Sequence, residues 1–265
     1  MTSTAEPTAN LELPSLSAPT GSPYDRHLPI IGTRNLRDIG GYPAGEGRQT
    51  RWRTVFRADC LDRLPDASQE ALLDYGIRQV IDLRRLDELE SYPNVFRESP
   101  RVRYVHIPLV DVDPYERAGS VAGMYRLYLD ERRPQTAAVF RALLHPDGLP
   151  AVIHCAAGKD RTGVIIALLL AAVGVPNETI AEDYGFSQRC FSTRWEVITS
   201  DDGAGEIVAV LDNEAPVVEC RPEAMLETLE HLNQTYGGAA EYLLASGLSQ
   251  ADLDRLWELL TEPAR

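Results

Sequence analysis

The chain has 265 residues, 44% hydrophobic and 25% charged, with a formal net charge of −14 at pH 7. That balance belongs to a globular protein with a sizeable core, not to a disordered or fibrous chain. The acidic surplus and the lack of a long basic stripe argue against nucleic acid as a partner, and the longest apolar run, around Val164–Val173, is too short for stable membrane insertion.

The first 24 residues are rich in Ser, Thr, Pro and Ala and are expected to be a disordered tail ahead of a single domain over 25–265. They have neither the basic start nor the apolar stretch of a secretory signal, which points to the cytoplasm without excluding export by another route. "LPDASQEALLDYGIRQVIDLR" reads as a helix capped by Asp66 or Ser68 and ended at Gly76, followed by a buried strand over Ile77–Leu83. A second strand is predicted over Val102–Pro108, then helices over Gly119–Glu131 and Thr136–Leu144. Ala151–His154 is a short apolar strand. Thr162–Val173 is apolar on every face and reads as a central buried helix ended by Gly174. Beyond Ala181 the pattern is read as all helical, with a helix from Pro222 to Gly237 and another from Ser249 to Leu260, the latter opened by Ser249 and Asp252 near a capping box. The stretch "TSDDGAGEIVAVLDNEAP" resists assignment. Alternating strands and helices followed by helices predict an α/β fold: a mostly parallel central sheet flanked by helices, with a helical C-terminal part.

The segment "HCAAGKDRTG", residues 154–163, holds the only lysine in the chain. Its order is strand, Cys155, five residues, Arg161, Thr162, helix. A thiol at the C-terminal end of a parallel strand faces the crevice where such folds bind ligands. The next helix aims its free N–H groups and positive dipole end back at the loop, which favours a bound phosphate and the thiolate of Cys155. The amides of Ala156, Ala157 and Gly158 can line a phosphate cradle, and Gly158 permits a tight turn. Arg161 can grip two phosphoryl oxygens with its planar fork. Thr162 can hydrogen-bond the sulfur. These roles describe a phosphatase that forms a cysteinyl-phosphate and needs no metal or other cofactor. The segment is not a Walker loop, because no Ser or Thr follows the Lys and Ile153 stands where the first Gly would be.

The loop resembles the signature of cysteine-dependent protein tyrosine phosphatases, and most of all an atypical bacterial branch whose loop reads HCxAGKDRTG. The segments "NLRDIGGY", "FRADCLDRL", "VIDLRRLDELE" and "GLSQADLDRLWELL" resemble that branch too, so the likeness spans residues 30–260. It implies a tyrosine-phosphatase-like fold and activity on phosphotyrosine, with phosphoserine, phosphothreonine and phosphoinositides often accepted. It implies that Asp160 is the general acid; Asp111 or Asp113 in "HIPLVDVD" is the rival, and Asp160 is favoured. It also implies a lid over the site, expected here at about 187–219 with "SDDGAGE" as a hinge.

Five further expectations concern individual side chains. Asp82, at its strand end, is expected on the rim of Cys155, either orienting Asp160 or Arg161 or serving as a strand-end ion pair. Lys159 either adds a positive charge beside a multiply charged phosphate or points to solvent. His154 is expected to order the loop through hydrogen bonds. Arg37 and Asp38 are expected to pin the Gly40–Gly41 turn. Cys60, Cys190 and Cys220 have no metal-ligand or disulfide-framework spacing and are expected to be inert. The partner is therefore a phosphorylated protein or a phosphoinositide. The alternatives are a phytase-like inositol polyphosphate phosphatase, which a strongly basic pocket would favour, and a non-catalytic phosphate-binding module.

Overall fold

The computed structural model describes residues 26–112, 114–199, 205–212 and 218–264. The expected tail over 1–24, the acid candidate Asp113 and most of the expected hinge lie outside these residues. In chain order come β1 (Arg37–Asp38), β2 (Pro43–Ala44), β3 (Arg48–Thr50), β4 (Val55–Ala58), α1 (Asp66–Asp74), β5 (Gln79–Asp82), α2 (Leu86–Ser91) and β6 (Arg103–His106). They are followed by α3 (Tyr115–Ala118), α4 (Val121–Glu131), α5 (Arg133–Leu143), β7 (Ala151–His154), α6 (Asp160–Ala172) and α7 (Asn177–Phe191). The chain closes with β8 (Thr193–Thr199), β9 (Gly205–Leu211), α8 (Pro222–Tyr236), α9 (Ala239–Ala245), α10 (Gln250–Leu260) and β10 (Thr261–Pro263).

A five-stranded sheet in the order β1-β4-β7-β5-β6 organises the molecule, parallel throughout except for β1. Its central strands β4, β7 and β5 are buried on both faces because helices or loops cover both. Val55, Ile81 and Ile153 point into one core with α4, α5, α6 and α8. Phe56, Val80 and Val152, one residue on or back along the same strands, point into a second core with Leu72 of α1 and Phe96. The helix α6 is buried without interruption from Thr162 to Leu170, so cutting Leu169 to Ala would cost about 2–5 kcal/mol. Gly76, Gly174 and Gly237 take positive φ at the ends of their elements, and Ser249 and Asp252 complete the capping box that opens α10.

The expectation of an all-helical chain beyond Ala181 needs correction. β8 (Thr193–Thr199) and β9 (Gly205–Leu211) pair antiparallel, and β10 joins β2 and β3 in a small sheet. The reason is local: β-branched and aromatic residues fill Thr193–Thr199, and Ile207–Leu211 is apolar and largely β-branched, so both favour extended backbone over helix.

Candidate active site

β7 is the middle strand of the sheet, and Ala58, His154 and Asp82 are aligned across β4, β7 and β5. The loop that follows His154 therefore leaves the sheet at its centre, with the ends of β4 and β5 on either side. Cys155 opens that loop and is 2% exposed. Its Sγ accepts a hydrogen bond from the backbone N–H of Gly158 at 3.2 Å. Three successive carbonyls of the loop are held from outside. Cys60 N donates to the Ala156 oxygen at 2.9 Å, Asn35 Nδ2 to Ala157 at 3.0 Å, and Arg57 Nη2 to Gly158 at 2.6 Å. With the oxygens turned out, the amides of the loop are free to face its centre, as an oxyanion cradle requires. Gly158 has φ +65°, and a Cβ there would lie 2.2 Å from the Ala58 oxygen, so no other residue fits.

The first turn of α6 supplies the side chains. Arg161 is bonded through Nη1 and Nη2 to Glu88 of α2, at 2.5 and 2.8 Å. Burial works against its charge, but Glu88 and Cys155 outweigh that and hold the guanidinium above its ordinary range. Glu88 itself is held low: burial would raise it, and Arg161 more than compensates. Asp160 Oδ1 accepts from Tyr125 at 2.6 Å, and Tyr125 shares a 2.8 Å hydrogen bond with Tyr184. Lys159 Nζ stands 3.4 Å from the same oxygen, with its side chain 12% exposed. It therefore lies along the loop and does not reach into solvent. Thr162 is fully buried, but its hydroxyl has no partner, so the expected bond to the sulfur is not made.

Asp82 does not orient Asp160 or Arg161. Its carboxylate receives Arg84 and Tyr104 and lies 3.3 Å from His154 Nε2. The register explains this, since Asp82 is level with His154, one residue short of the nucleophile. Burial alone would raise its pKa, but His154 and Arg84 keep the carboxyl well below the usual range. His154 Nδ1 donates to the Cys155 carbonyl at 3.1 Å, while Nε2 is 2.8 Å from Asn94 Nδ2. His154 thus bonds to the first carbonyl of the loop, with Asp82 behind it. Asp111 is 76% exposed, pairs with Arg132 at 3.1 Å and touches no residue of the cradle. Asp38 pins the turn, accepting from Gly40 N and Arg53 N, both at 2.8 Å. Arg37 does not share that task, and its side chain runs to Asp183, Asn35 and Ser187.

A cavity of about 520 Å³ opens beside the cradle, where Ala156 and Glu88 form its edge. Arg34, Arg63 and Arg84 line it together with Tyr92 and Trp195, and Asp59 and Asp62 balance part of that charge. All four cysteines are free thiols. Burial, assisted by Asp62, pushes the Cys60 thiol up to about 12, and burial pushes Cys190 up to about 11. Among the described residues no cluster of three or more His, Cys, Asp or Glu is placed to hold a metal, and no helix is long and apolar enough to cross a membrane. Sequence reasoning missed Glu88, Asn35, Arg57 and Tyr125. Each lies far along the chain from the loop, and only the α/β layering brings them to it.

A buried thiol in a loop with outward-turned carbonyls, next to a helix start bearing an Arg, is the arrangement that an oxyanion-binding centre of the phosphatase class requires. A sequence profile of the tyrosine phosphatase family matches residues 28–262. A tyrosine-protein phosphatase of Nostoc commune is 30% identical over 74% of this chain and 70% of its own length. The triple specificity protein phosphatase PtpB of Mycobacterium tuberculosis is 29% identical over 87% of this chain and 97% of its own. A putative tyrosine-protein phosphatase of Cupriavidus necator is 28% identical over 79% of this chain and 80% of its own. The chain belongs to the tyrosine phosphatase family and is a protein tyrosine phosphatase.

Proposed function

We propose that the protein hydrolyses phosphotyrosine through a cysteinyl-phosphate on Cys155. The observation that carries this reading is the loop itself: Sγ and the Gly158 amide face one another while three carbonyls are tied outward. The substrate phosphoryl group sits over the amides of Ala156, Ala157 and Gly158, and Sγ attacks phosphorus as the P–O bond to tyrosine breaks. Glu88 holds the Nη1–Nη2 end of Arg161. That leaves the Nε edge of the guanidinium to take two phosphoryl oxygens and follow them through the transition state. Asp160 gives its proton to the leaving tyrosyl oxygen, using Oδ2, because Oδ1 is engaged by Tyr125. The same group, now a carboxylate, activates the water that releases inorganic phosphate. Asp111, exposed and away from the loop, is not the acid in this reading.

The mycobacterial relative carries triple specificity in its name, and we extend a broad substrate range to this chain. Lys159, lying along the loop beside Asp160, adds a second charge for phosphoinositides. The cavity at the cradle's edge mixes arginines with carboxylates, and this supports phosphoproteins over a phytase-like reaction. The strand pair β8–β9 reaches the site through Trp195 and serves as the lid. Free thiols support a reducing compartment such as the cytoplasm.

A substrate panel tests the assignment: phosphotyrosine, phosphoserine and phosphothreonine peptides, a 3-phosphoinositide in vesicles, and inositol hexakisphosphate, with Cys155→Ser as blank. Phosphotyrosine is expected to turn over fastest. Turnover persisting in the blank would defeat the mechanism, and a preference for the hexakisphosphate would replace the substrate class.

A further inference from the structure

Behind the loop, the Asn35 and Arg57 contacts continue into a buried network that touches neither substrate nor reacting atoms. Arg37 on β1 and Arg57 on β4 are direct cross-strand partners, and both are fully buried. Like charges in that position repel, and neither can reach water. Asp183 of α7 stands between them, its Oδ1 accepting from Arg37 Nε at 3.0 Å and its Oδ2 from Arg57 Nη1 at 2.6 Å. Each guanidinium then reaches further, and both arms end on the same loop. Arg57 Nη2 donates to the Gly158 carbonyl at 2.6 Å. Arg37 Nη1 donates to Asn35 Oδ1, which fixes that amide so that its Nδ2 donates to the Ala157 carbonyl at 3.0 Å. Arg37 Nη2 also holds the Asp183 carbonyl at 2.7 Å and Ser187 Oγ at 3.1 Å, and Tyr42 donates to Asp183 Oδ1 at 3.0 Å.

We propose that Asp183 is a positioning residue for the phosphate cradle, holding two successive loop carbonyls outward through Arg57 and through Arg37 with Asn35. The proposal rests on reading the loop as an oxyanion cradle. Without the carboxylate, two buried guanidiniums separate and both arms lose their aim. The Ala157 and Gly158 peptides are then free to rotate, and their amides leave the centre. The triad also keeps one surplus positive charge behind the loop, in a region where water does not screen it, and that charge favours an anion in the cradle. An ion cluster that served only to hold β1 and β4 to α7 would satisfy its charges among themselves; here both guanidiniums continue to the catalytic loop.

The test separates loop order from stability. Asp183→Asn removes the shared carboxylate. Asn35→Asp is the gentler variant, since it keeps the contact to Arg37 but has no N–H for the Ala157 carbonyl. Tungstate, a non-covalent tetrahedral oxyanion, is titrated by calorimetry at a temperature where each protein is folded, and unfolding temperatures and phosphotyrosine kinetics are recorded beside it. Tungstate binding is expected to weaken on the order of tenfold in either variant, with kcat falling as well as KM rising. If Asp183→Asn does not fold, Asn35→Asp decides. Folded variants that melt earlier yet bind tungstate as the wild type does would overturn the proposal. A wild type that fails to bind tungstate would remove the cradle itself.

Discussion

The two sides of the loop are built differently. Its rear is sewn into the protein by Asn35, Arg57 and the Cys60 amide, all anchored on the sheet or the segments leaving it, and by His154 with Asp82 beneath. Its front rests on half-buried side chains, Arg161 with Glu88 and Asp160 with Lys159, the latter pair backed by the buried Tyr125. The rear fixes where the amides and sulfur stand; the front meets the part of the substrate that changes charge during reaction. Preorganisation belongs to the side that must not move, and side chains with room to adjust belong to the other.

That contrast can be broken at several points. Gly158→Ala attacks the rear most directly, because the added methyl meets the Ala58 backbone at 2.2 Å and the residue would keep a positive φ. Activity should fall on the order of 10²-fold or more, together with tungstate binding and melting temperature. At the front, Asp160→Asn should cost roughly 10²-fold on a phosphotyrosine peptide and far less on 4-nitrophenyl phosphate, whose leaving group needs little protonation. Asp111→Asn should change neither, and the reverse pattern would move the acid to Asp111. Glu88→Gln should lower kcat/KM about tenfold by loosening Arg161, with little change in melting temperature.

Smaller effects follow from charge. Asp82 and Asp183 are both held below the ordinary carboxylate range in the fold, Asp82 by His154 and Arg84 and Asp183 by Arg37 and Arg57, each against burial. A folded-state pKa below the unfolded value means that the stabilisation is complete at neutral pH and is lost as pH falls below about 4. Melting temperatures measured from pH 7 downward should therefore drop on entering that range, and Asp82→Asn should start lower and drop less. Last, in a Cys155→Ser background iodoacetamide at pH 8 should leave Cys60, Cys190 and Cys220 unmodified, since burial holds all three thiols up; rapid labelling of Cys60 seen by mass spectrometry would contradict that upward shift.

The front of the site was legible in the sequence because it is local. Cys155, Lys159, Asp160 and Arg161 lie within seven residues, and the strand and helix on either side announce themselves by apolar runs. The rear was not legible, because Asn35, Arg57 and Asp183 come from β1's approach, β4 and α7, and only tertiary packing joins them. Asp82 shows the limit from the other direction: its place at a strand end was read correctly, but the register sets it level with His154 and so decides its partner. The strand β8 escapes a reading of the sequence because helices dominate the chain after Ala181 and its pattern is short enough to be ambiguous, and β9 falls in the stretch that resists assignment.

The covalent step is the centre of the account. Rapid quenching in acid during turnover of a phosphotyrosine peptide, followed by peptide mass spectrometry, should find one phosphoryl group on Cys155, accumulating in Asp160→Asn if release of phosphate slows more than attack. A phosphoryl group on any other residue, or hydrolysis at the wild-type rate by Cys155→Ser, would contradict it.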